Sequence, residues 1–259
     1  FSIYYRSYKK EIHNIRVLKE KQNQIECQAA ELNRLNIEKD KIFSILAHDL
    51  KAPLDSLWGM VKLMNEDNLS QEEFESYLPI LSQNLGNNSM LLENLLIWSR
   101  SQMRGMNTEF SKFNLFKVVE QSLSFLSGSG YYKGQILENY IPKSIEIEAE
   151  KTMLEIVIRN LLTNALKFTN ANDKITVALE EEENFYTISI SDQGIGMTEA
   201  GLSKLFGNDF YSTSGTHQEK GTGLGLLISK ELVKKNKGEI WAKSQIGSGS
   251  TFCFTLPKS

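Results

Sequence analysis

The chain has 259 residues, 41% hydrophobic and 24% charged, so it can bury one large or two modest cores and is no disordered tail. Its 29 basic and 32 acidic side chains leave a formal net charge of -3, without the basic excess expected where nucleic acid is the main partner. Cys27 and Cys253 lie far apart in segments of different texture, which points to a reducing compartment and away from a structural zinc site.

No run of 18 apolar residues occurs, so no helix written in this sequence spans a bilayer. The opening "FSIYYRSYKK" mixes Phe1, Tyr4, Tyr5 and Tyr8 with Arg6, Lys9 and Lys10. Two readings fit it equally: the cytoplasmic end of a transmembrane helix cut off at residue 1, or the start of an ordinary amphipathic helix. From 11 to about 40 the chain reads as one polar helix. Ile15, Leu18, Ile25, Ala29 and Leu32 fall near a three-four spacing interrupted by Gln22, the pattern of a short parallel coiled coil. A solvated helix packed on something outside the chain is the alternative. Leu35, Ile42 and Leu46 continue the stripe after a three-residue change of phase.

A second helix is expected over about 41–65. "NEDNLS" follows, with Ser70 as N-cap and Glu73 as its reciprocal partner, and a third helix runs over about 71–104. The third carries Phe74, Tyr77, Leu78, Leu81, Leu85, Leu92, Leu95 and Leu96 at helical spacings; Gly86 within it costs roughly 1 kcal/mol relative to Ala. Two long amphipathic helices with a short connector predict an antiparallel hairpin. A lone hairpin leaves much of both stripes wet, so pairing into a dimeric four-helix bundle is the expected remedy.

"RGMNTEFSKF" (104–113) interrupts the helical pattern and marks a domain boundary. Beyond it the spacing predicts a helix near 115–127, an alternating strand at Ile145–Glu148, and a helix over 151–168. Strands with faces Ile175/Val177/Leu179 and Tyr186/Ile188/Ile190 follow, joined by a solvated turn at Glu180–Glu183. A later helix closes on Lys234, Lys235 and Lys237 before Gly238 as a C-cap, and "GEIWAKSQIGSGSTFCFTLP" is a final hairpin. This part is expected to be an α/β domain with helices on one face of a mixed or mostly antiparallel sheet.

Four constellations carry chemistry. In "FSILAHDLKAPL", His48 stands beside the carboxylate of Asp49, and Pro53 denies a hydrogen bond to the Asp49 carbonyl, so a bend is expected just after the histidine. Neutral imidazole is a competent nucleophile, and an adjacent carboxylate can orient it and take its proton. In "RNLLTNALKFTN", Asn160, Asn164 and Lys167 share one helix face opposite Val157, Ile158, Leu161, Leu162 and Ala165. Amide oxygens suit Mg2+ and an ammonium suits phosphate; a plain polar helix face would look the same. In "SDQGIGM", Asp192 can accept from an exocyclic amine, while Gly194 and Gly196 permit close backbone approach. In "EKGTGLGLLISKELV", Gly221, Gly223 and Gly225 precede a helix whose first turn can present N–H groups to phosphate. That segment is neither a Walker A loop nor a dinucleotide fingerprint. The intervening "LFGNDFYSTSGTHQ" reads as a mobile lid anchored by Phe206 and Phe210, with His217 an ordinary lid residue.

Taken in order, these segments resemble the sensor histidine kinases of two-component systems. "HDLKAPL" is similar to the phosphoacceptor box, "NLLTNALKFT" to the N box, "DQGIG" and "GTGLGL" to the two glycine boxes; the resemblance covers about residues 38–259. It implies a signalling helix at 1–40, a dimerisation and phosphotransfer hairpin at 41–104, a linker at 105–112 and a catalytic domain at 113–259. The implied fold is an all-α helical hairpin followed by an α/β two-layer sandwich of the Bergerat ATPase type. The resemblance makes His48 the phosphoacceptor and Asp49 its acid-base partner. It makes Asn164, supported by Asn160, the Mg2+ ligand and Asp192 the adenine reader. Phosphate falls to Lys167 and to the segment Gly221, Thr222, Gly223, Leu224 and Gly225, with Lys220 as a further candidate. It further implies ATP and Mg2+ as cofactors, a homodimer, a response regulator receiver domain as partner, and a cytoplasmic location with the full-length protein anchored in the inner membrane upstream of residue 1.

Two departures stand out. Many relatives carry Thr or Asn four residues after the histidine, where it positions water for dephosphorylating the partner; Ala52 cannot, so weak phosphatase activity is expected. Ser212 replaces the basic residue that relatives often carry after the lid's aromatic pair, which shifts γ-phosphate handling toward Lys220. Two other functions compete: an ATPase of the gyrase, chaperone or mismatch-repair type, in which the hairpin histidine has no purpose, and a non-catalytic dimeric scaffold.

Overall fold

A helix of 64 residues, α1 (Ser2–Asn65), opens the chain. The structure is a computed structural model and describes residues 2–65, 72–73, 75–78, 85–86, 89, 92, 96, 99, 109–128, 131–206, 215–216 and 224–258, with side chains at only some of the helical positions. The segments expected at 11–40 and 41–65 are one helix, and Pro53 lies inside it, so the loss of one backbone donor there does not end the element. Ile15, Leu18, Ile25 and Leu32 stand 59–69% exposed along α1 among the described residues. Flanking pairs between Arg16 and Glu20 and between Gln22 and Glu26 add the usual one-turn support.

The described positions between 72 and 99 are helical, and Tyr77, Leu78, Leu85, Leu92 and Leu96 among them are exposed. The expected cap at Ser70 and the connector before it lie outside the described residues. Among those described, no helix is long and apolar enough to cross a membrane. The chain divides into two units, Phe1–Asp55 and Ser56–Ser259.

The α/β domain of the second unit begins with β1 (Ser111–Asn114), which pairs antiparallel with β3 (Glu146–Ala149). Residues 111 and 112, expected in the linker, are therefore already strand; "SKFN" carries a single apolar residue, too little alternation to register. α2 (Leu115–Ser127) starts where Asn114 accepts from the Lys117 N–H at 2.9 Å. β2 (Ile136–Asn139), α3 (Lys151–Phe168), β4 (Lys174–Glu181) and β5 (Phe185–Asp192) follow, then a single turn α4 (Glu199–Leu202), α5 (Leu224–Lys235), β6 (Ile240–Gln245) and β7 (Gly249–Pro257). The main sheet has the order β2-β4-β5-β7-β6, parallel at β2–β4 and antiparallel elsewhere.

The core sits between that sheet and α2, α3 and α5. Val119 and Leu126, Ile156, Val157, Leu161 and Leu162, and Ile228 and Leu232 meet Ile175, Val177, Ile188, Ile190, Phe254 and Leu256, all buried. Alternation turns Thr176, Ser189, Ser191 and Thr251 to the opposite face, as period two requires. Truncating any of these Leu or Ile side chains to Ala would cost about 2–5 kcal/mol. α5 closes differently from expectation. Lys237 (φ 61), not Gly238, takes the left-handed position, with Lys237 N–H donating to Lys234 and Gly238 N–H to Val233. Gly238 is needed for a second reason, since a Cβ there would lie 1.9 Å from the Thr255 carbonyl oxygen.

Candidate functional site

α3 is buried on nearly every side, and its polar residues are therefore placed rather than merely solvated. Asn160 is 6% and Lys167 5% exposed, while Asn164 is half-buried. The Asn160 amide nitrogen donates to the Gly225 carbonyl at 3.3 Å and reaches Ser229 Oγ at 3.4 Å, so it ties α3 to the first turn of α5. Asn164 makes no side-chain hydrogen bond among the described residues, which leaves its carbonyl oxygen available to a cation. The Lys167 ammonium lies 4.9 Å from the centre of the Phe168 ring.

Asp192 ends β5 and is 7% exposed. Burial raises its pKa from 3.8 to about 6, against the N–H groups of Gly194 and Ser250, which pull it down. Both N–H groups reach the same oxygen, Oδ1, at 2.8 and 3.2 Å. Among the described residues Oδ2 receives none, and it is the acceptor left for an amine from outside the protein.

The glycines beside Asp192 have a reason that spacing alone did not reveal. A Cβ on Gly194 would lie 2.2 Å from the Phe168 carbonyl oxygen, one on Gly196 (φ 66) 1.9 Å from that of Gln245, and one on Gly249 1.9 Å from that of Asp192. The turn after β5 is thus packed backbone against backbone, onto the end of α3 on one side and the β6–β7 hairpin on the other. Gly247 N–H to the Ile195 carbonyl (2.8 Å) and Met197 N–H to Ser244 Oγ (2.8 Å) close it. Such a turn fixes Asp192 and α3 relative to each other.

Lys220, Gly221, Thr222, Gly223, Phe210, Ser212 and His217 lie outside the described residues. Leu224 is the first residue of α5, with no side-chain description, and Gly225 has room for a Cβ 3.6 Å from Asn160 Cγ. His48 and Asp49 lie within α1, and their side chains, like that of Ala52, are outside those described. Of the expected site, the domain therefore brings together Asn160, Asn164, Lys167, Asp192, Gly194, Gly196 and Gly225. Ser250, which binds Asp192, and Lys133, Gln135 and Thr216, which bind the end of α3, were not singled out by sequence. Their partners are backbone or carboxylate atoms remote in the chain, and no local spacing marks such pairs.

The set fits an ATP–Mg2+ group: a carboxylate with one unused oxygen for the adenine amine, an unengaged amide on Asn164, and an ammonium one turn further along α3. A mixed-sheet sandwich with this site defines the Bergerat type of ATPase domain. Residues 149–259 match the family described as "Histidine kinase-, DNA gyrase B-, and HSP90-like ATPase". Hybrid signal transduction histidine kinase L of Dictyostelium discoideum is 31% identical over 89% of this chain and 14% of its own length. Sensor histidine kinase WalK of Bacillus subtilis is 25% identical over 88% of this chain and 38% of its own length. The catalytic domain of histidine kinase ThkA superposes with a TM-score of 0.51 at 27% identity, over 58% of this chain and 96% of that one. ThkA in complex with the response regulator TrrA superposes at 0.64 and 21% identity, over 85% of this chain and 61% of that one, a likeness of fold. The chain spans less than half the length of both curated relatives. The chain is similar to sensor histidine kinases over most of its length, and residues 149–259 of its second unit carry the ATPase domain that those kinases share.

Proposed function

We propose that this chain phosphorylates its own His48 from ATP with Mg2+ and passes the phosphoryl group to an aspartate of a response regulator receiver domain. The observation that carries the proposal is one chain in which a histidine kinase-type ATPase domain follows a helix bearing the adjacent pair His48–Asp49. Asp192 Oδ2 accepts from the adenine amine, the glycine turn holds it in register with α3, and Lys167 faces the phosphates. Bound Mg2+ supplies charge neutralisation on the phosphate oxygens, with Asn164 as its protein ligand and Asn160 bracing α3 against α5. The His48 ring nitrogen attacks the γ-phosphorus as the bond to the β-phosphate oxygen breaks, ADP leaves, and Asp49 takes the imidazole proton. Phosphohistidine is labile, so transfer to a carboxylate on a partner follows. The complex of ThkA with TrrA is the precedent for such a partner.

The domain division 1–40, 41–104, 105–112 and 113–259 belongs to the same proposal. So do a homodimer through the α1 seam and the hairpin, Lys220 and the Gly221–Gly225 segment at the phosphates, and a membrane anchor upstream of residue 1. Incubation with γ-labelled ATP and Mg2+ tests it. The expected label is acid-labile, base-stable and absent from His48→Gln. Hydrolysis of ATP with no covalent label, in the presence of a receiver, would replace the kinase by an ATPase of the gyrase or chaperone kind.

A further inference from the structure

An α-helix leaves its last four carbonyls without partners of its own. α3 ends on Thr169 in an extended conformation (φ -107, ψ 142), so no left-handed residue closes it. Gln135, one residue before β2, grips its last turn from outside. Its Nε2 donates to the carbonyls of Leu166 (3.0 Å) and Thr169 (3.1 Å), and its Oε1 accepts from the Lys133 N–H at 2.7 Å. The side chain is 2% exposed, and burying an amide is costly unless its polar groups are bonded. Here both amide hydrogens and the oxygen are used. The backbone that carries it is fixed as well, by the Ile136 N–H to the Asp173 carbonyl (2.9 Å) and the Asn172 N–H to that of Gly134 (3.2 Å).

The two carbonyls that Gln135 grips bracket Lys167 and Phe168. The glycine turn after β5 docks onto the Phe168 carbonyl, which accepts from the Ile195 N–H at 3.1 Å and would lie 2.2 Å from a Cβ on Gly194. That fit has no slack. A shift of the carbonyl toward the turn collides with Gly194, and a shift away breaks the Ile195 bond. Gly194 in turn donates to Asp192 Oδ1 at 2.8 Å, which decides where Oδ2 points. From Gln135 to that free carboxylate oxygen, each link is a hydrogen bond or a backbone contact.

We propose that Gln135 is a positioning residue for base recognition. By locking the last turn of α3 it holds the Asp192 turn in register, and so sets the preference for a purine that bears an amine. The inference rests on the nucleotide site described above, and Gln135 acts through Phe168 and Gly194 rather than by touching nucleotide.

The test is calorimetric titration of the full chain, with Mg2+, against ADP and against purine riboside diphosphate, which is ADP without the amine. The wild type should prefer ADP by about 10- to 100-fold, the worth of one hydrogen bond to a carboxylate. Gln135→Met keeps the length of the side chain and loses both donors. Its preference should fall to about threefold or less, because a hydrogen bond weakens steeply off its geometry. A variant that is only less stable raises both Kd values by one common factor and leaves their ratio alone, so the ratio separates positioning from folding. Gln135→Asn keeps the amide on a stem one carbon shorter, and its preference should fall as well. If Gln135→Met fails to fold, Gln135→Asn decides by the same ratio. A variant that prefers ADP as strongly as the wild type does would overturn the proposal. A wild type that binds neither nucleotide removes the site and this role together; one that binds both equally removes Asp192 as the base reader, and the role with it. A wild type that prefers ADP but never labels His48 removes only the kinase reading.

Discussion

Asp192→Asn should make the nucleotide-free domain more stable while weakening its binding of ATP. Asp192 is 7% exposed, and its pKa of about 6 lies some two units above the ordinary 3.8. A carboxyl whose folded pKa is raised favours folding in its protonated form. That contribution is complete below about pH 3.8 and is lost as pH rises through about 6. At pH 8 the folded domain thus carries the full penalty of a buried carboxylate, about 3 kcal/mol at 1.36 kcal/mol per unit. Asparagine cannot ionise, yet its carbonyl oxygen can still accept from Gly194 and Ser250. The variant should match the wild type near pH 4 and exceed it by about 3 kcal/mol at pH 8, on the order of 10 °C in Tm. Its amide NH2 in place of Oδ2 would set donor against donor at the adenine amine and weaken ATP by about 10- to 100-fold. Urea or thermal unfolding of both chains at pH 4.5, 6 and 8, with ATP titrations at pH 8, reads all of this. A stability difference that does not grow with pH, or Asp192→Asn binding ATP as tightly as the wild type, would refute the reasoning.

Gly196→Ala places a Cβ into the Gln245 carbonyl at φ 66, whereas Gly134→Ala, at φ 90 with nothing within 4 Å, meets only backbone strain. Unfolding should register a loss above about 3 kcal/mol for the first and about 1–2 for the second, and equal losses would contradict the packing described. Ile25→Glu, at a position 64% exposed within one chain, should leave the fold intact and weaken self-association, as sedimentation equilibrium would record. An unchanged oligomeric state would remove the seam along α1 as a dimer contact.

The polar stripe of α3 and the acidic residue before the glycine turn were legible because each is a local pattern: three positions on one helical face, and a carboxylate at a strand end. The sheet faces were legible for the same reason, and Ile175, Val177, Ile188 and Ile190 are buried as alternation requires. β1 and β2 were not, because four-residue strands such as "SKFN" and "ILEN" hold their place by pairing with β3 and β4 rather than by their own periodicity. The inward turn of Asn160 onto Gly225 and Ser229 also depends on a helix 65 and 69 residues away. The C-cap of α5 was misplaced by one residue because glycine is the default for positive φ. Here Lys237 takes that strain while Gly238 clears the Thr255 carbonyl.

The same long-range contacts explain how the site can be both strained and held. The Asp192 carboxylate opposes folding above pH 6, yet the turn that carries it is bonded to β6, β7 and the end of α3, so the domain does not relieve the strain by moving Asp192 outward. An amine donor on Oδ2 is then worth more than it would be in water, because it meets a carboxylate already stripped of solvent. Nucleotide binding should accordingly draw the Asp192 pKa down and release a proton near pH 6. The heat of ATP binding at that pH should change with the ionisation enthalpy of the buffer, and that dependence should fade by pH 8. A buffer-independent heat at pH 6 would mean that Oδ2 is not where the adenine amine binds.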